Sequence, residues 1–185
     1  MQTLSAALVR RARAHVRCGG VIAYATESCF GLGCDPNNER ALRAVLRIKR
    51  RPKSKGLIVI ADRAERFSIL LEPISEIDMQ RIHASWPGPH TWLIRAKARA
   101  KRSLRGKHGA LAVRVTAHED ARNLCARLRM MLVSTSANRA GQRPIKTTRE
   151  CLRRMGSNVM VISGKIGARK TPSTIQDLRS GKLLR

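Results

Sequence analysis

Acidic residues are scarce in this chain, and so are aromatics. Twelve Asp and Glu stand against 38 Lys and Arg, a formal net charge of +26 over 185 residues. A chain this basic attracts polyanions, and the release of condensed counterions makes nucleic acid the first candidate partner. A proteome-wide preference for arginine is the bland alternative. The aromatics are Tyr24, Phe30, Phe67, Trp86 and Trp92, a poor supply for a protein that stacks successive bases on rings. Any RNA contact is therefore expected at backbone and shape, without sequence preference.

Other absences exclude whole classes of chemistry. The five cysteines (Cys18, Cys29, Cys34, Cys125, Cys151) are odd in number and contain no C-x-x-C pair. Free thiols in a reducing compartment are expected, neither a disulfide framework nor structural zinc. The N-terminal "MQTLSAALVRRARAHVR" has arginines where a signal peptide needs an apolar run. No stretch approaches membrane-spanning length, so a soluble, cytoplasmic protein without a membrane partner is expected. There is no phosphate-binding G-x-x-x-x-G-K-[ST], no H-E-x-x-H and no G-x-S-x-G. "GLGCDP" opens like a dinucleotide fingerprint, but Pro36 occupies the place of its last glycine. Covalent catalysis is not what such a chain advertises.

What is present suits one domain over residues 1–185, with 43% hydrophobic residues to build a core. Thr3 is expected to cap a first helix with Leu4, Leu8, Ala12, His15 and Val16 on one face, stopped at Gly19-Gly20. His15 there is a core-edge residue. Strands are predicted at 21–24, 30–35, 57–61, 90–96, 111–115, 131–138 and 159–163. Asn38 should cap a helix over 39–50. "DRAE" at 62–65 and "SEID" at 75–78 resemble capping boxes opening further helices, and 118–128 and 147–155 are also helical. "WPGP" at 86–89 must turn, and 173–185 is a hairpin turning at Ser180-Gly181. The seven-cation stretch 95–107 is expected as an exposed loop, with RNA contact as the sharper alternative. Strands alternating with helices predict an α/β fold with a mixed sheet.

Three strand-end segments carry the chemistry, because ligands of α/β sheets bind near strand ends. "YATESCFGLG" (24–33) puts Thr26 and Glu27 just past a strand. "VSTSANRAG" (133–141) supplies hydroxyls and an amide after another. "KRRPKSK" (49–55) packs five cations around Pro52. Arg51 precedes that proline, which disfavours helix at Arg51 and directs the chain outward. Lys49 on the last turn, Arg51 at the break and Lys55 before a buried strand suit a polyphosphate better than a solvated face.

"YATESCFGLGCD", "IKRRPKSKGLIV", "WPGPHTWL", "LAVRV", "VSTSAN" and "PSTI" follow one another over 21–175. In this order they closely resemble the YrdC-like family of threonylcarbamoyl-AMP synthases, in its short bacterial form. The resemblance implies a single domain whose twisted mixed sheet curves around a basic concave cavity. It implies a nucleotidyltransferase reaction: L-threonine, bicarbonate and ATP give threonylcarbamoyl-AMP and pyrophosphate. The product would serve threonylcarbamoyladenosine modification of tRNA through separate transferase proteins. By the same resemblance Lys49, Arg51 and Lys55 grip ATP phosphates and stabilise charge, and Ser134, Ser136 and Asn138 form the nucleotide-side turn. Thr26, Arg114 and Ser173 hold threonine, Arg114 as the carboxylate clamp. Magnesium is expected with ATP, although no dedicated carboxylate cage is visible.

Plainer roles stand beside these. Thr26 could only bond a turn, and residues 134–138 could only cap one. An arginine inside an apolar strand demands a partner, and a structural Arg114–Glu27 pair is the main rival to a threonine clamp. A noncatalytic RNA-binding module using the same cavity is the alternative function, and a stand-alone ATP hydrolase a third. Two positions depart from the family pattern. Ala25 replaces the usual proline, which loosens the Thr26 turn, and Ala140 replaces a serine after the Ser-x-Asn turn.

Overall fold

Alternation along the strands decides which face of the sheet each residue serves, because successive side chains of a strand point to opposite sides. In β1 (Ile22–Ala25), Ile22 and Tyr24 join one apolar cluster and Ala23 and Ala25 another. Ile60 and its neighbours Val59 and Ala61 in β3 (Ile58–Ala61) divide the same way, as do Leu132 and Val133 in β6 (Leu132–Ser136). The structure, a computed structural model, describes residues 4–157 and 159–185.

The remaining strands are β2 (Phe30–Gly33), β4 (His90–Arg95), β5 (Ala110–Val115), β7 (Met160–Val161) and β8 (Thr174–Asp177). They form one mixed sheet in the order β7-β1-β2-β6-β3-β5-β4-β8. Pairing is antiparallel except at β1–β7, β3–β5 and β4–β8. Helices α1 (Ala6–Arg17) and α5 (Glu119–Leu128) cover one face through Val9, Ala12, Val16, Leu124 and Leu128. Helices α2 (Glu39–Lys49), α3 (Glu76–Ser85), α4 (Arg102–Arg105) and α6 (Thr148–Met155) bury Leu42, Val45, Ile82, Leu104 and Met155 in the other cluster. The predicted α/β class with a mixed sheet is borne out.

Capping follows local chemistry. Asn38 and Ser75 accept from Ala41 N (3.1 Å) and Asp78 N (3.2 Å) at the starts of α2 and α3, as expected. The predicted cap Thr3 lies outside the described residues; Ser5 accepts from Leu8 N at 3.2 Å. His15 is half-buried, its Nε2 3.0 Å from Val21 O. The 62–65 capping box does not form. Asp62 binds the Arg66 guanidinium instead, and the segment is a 3-10 turn, Ala64–Ile69. Helix α2 stops at Lys49, one residue early, because Arg50 turns left-handed at φ 51 and its N–H bonds Arg47 O. The basic stretch 95–107 is not a free loop. It contains α4, anchored by fully buried Leu104 and by Ser103 Oγ donating to Glu39 at 2.6 Å. The terminal hairpin forms as expected, with Gly181 N bonding Asp177 O and Leu184 N bonding Ile175 O.

Candidate active site

Helices α1 and α5 cover only part of their face. Farther along it lie Gly31, Ile58, Leu93, Ala112, Arg114, Ser134 and Ser136, brought into phase by the registers Ile58↔Ala112, Ile60↔Arg114, Leu93↔Ala112, Ile58↔Ser134 and Gly31↔Ser136. They floor a cavity of about 960 Å³. Gly31 keeps this floor low, since a Cβ there would stand 3.2 Å from Thr26 Cγ2. Among the described residues, nine Lys and Arg line the cavity against two carboxylates, Glu27 and Asp177. Such a balance suits an anion of several charges.

The cation run reaches this cavity from the end of α2. Lys49 is only 5% exposed, and its Nζ donates to Ser136 O and, at 2.8 Å, to Asn138 O. Burial, with the nearby Arg51 charge, pushes its ammonium down to about 8. Arg51 folds back, Nε donating to Gly56 O and Nη2 to Lys55 O, both at 3.1 Å. It thereby closes the 3-10 turn Lys53–Lys55 that presents Lys55 to the cavity. Burial also lowers the Arg51 pKa. Thr26, Lys49, Arg51, Lys55, Arg114, Ser134, Ser136 and Ser173 all line the cavity. Asn138 is not a lining residue. Its amide nitrogen donates to Arg139 O (3.0 Å) and Gln142 O (2.7 Å), which shapes the loop, while its buried Oδ1 has no partner among the described residues.

Across the cavity, Arg114 Nη2 meets Glu27 Oε2 at 3.1 Å, the two side chains 8% and 13% exposed. The rival pair expected from sequence thus exists. It does not exhaust the guanidinium, because among the described residues Arg114 Nε is buried without a partner. Glu27 Oε1 accepts from Thr116 Oγ1 at 2.6 Å. Burial alone would raise the Glu27 carboxyl, but Arg114 and the Thr116 hydroxyl more than offset it and hold it below the usual range. Thr26 donates Oγ1 to Cys29 O at 2.7 Å, and its N–H bonds the same carbonyl. Two bonds to one acceptor hold the turn that Ala25, lacking the proline ring, does not stiffen. The Ala140 N–H bonds Lys49 O at 3.2 Å, so that position still joins the loop to the cation run. Ser173 Oγ accepts from Thr91 Oγ1 at 2.9 Å.

Sequence reasoning missed Lys146, Arg169 and Arg185, which also line the cavity. Arg185 is the most informative. Its Nε donates to Ser173 O at 3.2 Å, and burial, then the Arg114 and Arg51 charges, depress its pKa. Only the pairing of β8 beside β4 brings this residue to the cavity, and no local signal marks it. A second cavity of about 900 Å³ shares Glu27 and Arg169 with the first. Among the described residues no group of three His, Cys, Asp or Glu could hold a metal, and no helix is long and apolar enough to cross a membrane.

Fold and site together define an α/β protein whose sheet floors a strongly basic cavity lined by a buried arginine. The chain belongs to the Sua5/YciO/YrdC family, whose model, described as "Telomere recombination", matches residues 14–185. It is 55% identical over 178 residues to the threonylcarbamoyl-AMP synthase of Methylobacillus flagellatus, covering 95% of this chain and 99% of that protein. To the threonylcarbamoyl-AMP synthase of Chromobacterium violaceum it is 53% identical, covering 96% and 92%. Among solved structures, it is similar to P. abyssi Sua5 complexed with L-threonine, at TM-score 0.91 and 27% identity. That match covers all of this chain but only 55% of the P. abyssi chain. The family resemblance drawn from the motifs is borne out.

Proposed function

We propose that the chain is a threonylcarbamoyl-AMP synthase, forming threonylcarbamoyl-AMP and pyrophosphate from L-threonine, bicarbonate and ATP. One observation carries this: a buried arginine with an unpartnered Nε faces the same cavity as Lys49, Arg51 and Lys55. An amino-acid carboxylate and a triphosphate are the two anions such a division suits. The names of the two bacterial relatives and the threonine complex of P. abyssi Sua5 support it.

In this reading the threonine amine attacks the bicarbonate carbon, and a C–O bond breaks to release water, which carries off one amine proton and leaves a carbamate. A carbamate oxygen then attacks the α-phosphorus, and the bond to the β-phosphate oxygen breaks to release pyrophosphate. The negative charge gathers on phosphate oxygens, so the protein supplies positioning and fixed positive charge and no covalent nucleophile. Lys49, Arg51 and Lys55 grip the phosphates, Arg185 adds a fourth cation, and Ser134, Ser136 and Asn138 form the nucleotide side. Thr26, Arg114 and Ser173 hold threonine. Magnesium arrives on ATP. Glu27 is engaged by Arg114 and Thr116 and Asp177 by Ser180, so phosphate oxygens and water are its fitting ligands. The product serves cytoplasmic tRNA modification through tRNA threonylcarbamoyl-transferase proteins.

The test is pyrophosphate release from ATP with and without L-threonine and bicarbonate. Release is expected only with both. Equal pyrophosphate release without an amino acid would sink the synthase reading, phosphate release without threonine identifies an ATP hydrolase, and neither product under any condition favours a noncatalytic RNA-binding module. Serine should be the nearest competitor, since one missing methyl costs about 1–3 kcal/mol of discrimination.

Transfer RNA is expected to bind with steep salt dependence and little sequence preference, on the +26 charge and few aromatics. Neutralising Arg99, Lys101 and Arg102 together should flatten the salt slope while threonine-dependent release persists. Arg105 is left intact because it lines the cavity and its side chain bonds Ala100 O and His108 O. A flat salt response of the unaltered chain would refute this view of RNA contact.

A further inference from the structure

We propose that Glu27 is a positioning residue for Arg114, fixing which edge of the guanidinium meets the amino-acid carboxylate and thereby setting affinity for L-threonine. The inference rests on the synthase reading above. A guanidinium is a rigid plane with five donors, so pinning one nitrogen decides where the others point. A carboxylate serving only to neutralise a buried arginine would best engage it with both oxygens. Glu27 does not. Oε2 forms an ion pair with Arg114 Nη2 at 3.1 Å, while Oε1 accepts a hydrogen bond from Thr116 Oγ1 at 2.6 Å. The single contact leaves Arg114 Nε buried and unpartnered in a residue that lines the cavity.

Glu27 is itself held from several sides. Thr116 is fully buried two residues beyond Arg114, and its Oγ accepts from His118 N at 3.2 Å. The ionised Glu27 carboxylate can only accept, so the hydroxyl donates its proton to it. The Glu27 carbonyl accepts from Arg169 N at 3.2 Å, and Gly167 N bonds Thr26 O at 3.0 Å. Gly167 lies so close that a Cβ there would stand 2.8 Å from Glu27 O. Main chain and side chain are therefore both fixed. The lowered carboxyl pKa keeps Glu27 charged at neutral pH, so Arg114 does not need the substrate to balance its charge.

The test compares Glu27→Gln and Thr116→Val with the unaltered chain, by threonine titration calorimetry and by KM values from pyrophosphate release. Glu27→Gln is expected to raise the threonine KM about 10-fold or more while the ATP KM stays within about twofold, the signature of lost ground-state binding at one substrate only. Thr116→Val, which keeps both charges, should shift threonine in the same direction by less. It also decides the matter should Glu27→Gln fail to fold. Lower melting temperatures with unchanged threonine KM and calorimetric affinity in the folded variants would overturn the positioning role and leave the synthase reading intact. An unaltered chain without threonine-dependent release would overturn both.

Discussion

Arg114→Ala is expected to cut threonine-dependent pyrophosphate release by about 100-fold or more, equivalent to roughly 2.7 kcal/mol of lost transition-state stabilisation. Two losses combine. The proposed threonine site loses the guanidinium assigned to the substrate carboxylate, whose Nε has no partner among the described residues. Glu27 loses the guanidinium that opposes the cost of its burial, and breaking a buried ion pair from one side typically costs about 3–5 kcal/mol of stability. Activity and thermal melts should therefore fall together in Arg114→Ala. Arg114→Lys separates them, because lysine keeps the charge but not the planar fork. Its melting temperature should recover more than its threonine KM. The pH dependence carries a sign. A carboxyl held low in the folded state adds stability above its unfolded pKa, and that stability is lost as pH falls through the folded value. Arg114→Ala should lose this acid-side contribution. Wild-type threonine KM in Arg114→Ala would end the clamp assignment.

The second large effect concerns residues 49–55. Alanine at Lys49, Arg51 or Lys55 is expected to lower threonine-dependent release by about 10-fold or more, roughly 1.4 kcal/mol or above. Arg50 and Lys53, outside the cavity lining, should lose far less. The structure distinguishes the members of the run. Lys49→Ala should also lower the melt, since Lys49 Nζ joins the carbonyls of Ser136 and Asn138. Arg51→Ala should loosen the 53–55 turn by freeing the carbonyls of Lys55 and Gly56. Arg50→Gly should raise the melt slightly, because a left-handed residue at φ 51 costs less without a Cβ. The Lys49 ammonium, lowered to about 8 in the free protein, predicts kcat/KM for ATP that declines above about pH 8. Lys49→Arg, charged throughout this range, should lose that decline. Equal small losses at all five positions would mean that the run acts only through net charge.

Several of these residues were legible because their signals are local. Asn38 and Ser75 cap helices by reaching backbone N–H groups three residues away, and the chain writes such contacts within one turn. Lys49, Arg51 and Lys55 fall within seven residues and Ser134 and Ser136 within three, so nearness in sequence foretold nearness in space. Signals with competing partners were less legible. Asp62 had a cap site and Arg66 within reach, and the Arg66 pair won. In stretch 95–107 a single fully buried leucine anchors α4, and one apolar position makes no period to recognise.

Composition and periodicity by themselves determined an α/β chain with a mixed sheet and a large positive charge, because they depend only on residue type and spacing. The tertiary structure alone decided which part of one face stays open. That depends on β6 lying antiparallel between β2 and β3, and on β8 lying parallel to β4. Such pairings are fixed by contacts many residues apart. They seat Ser134 beside Ile58, carry the terminal hairpin with Arg185 to the cavity, and set Glu27 against Arg114 with one nitrogen left over among the described residues.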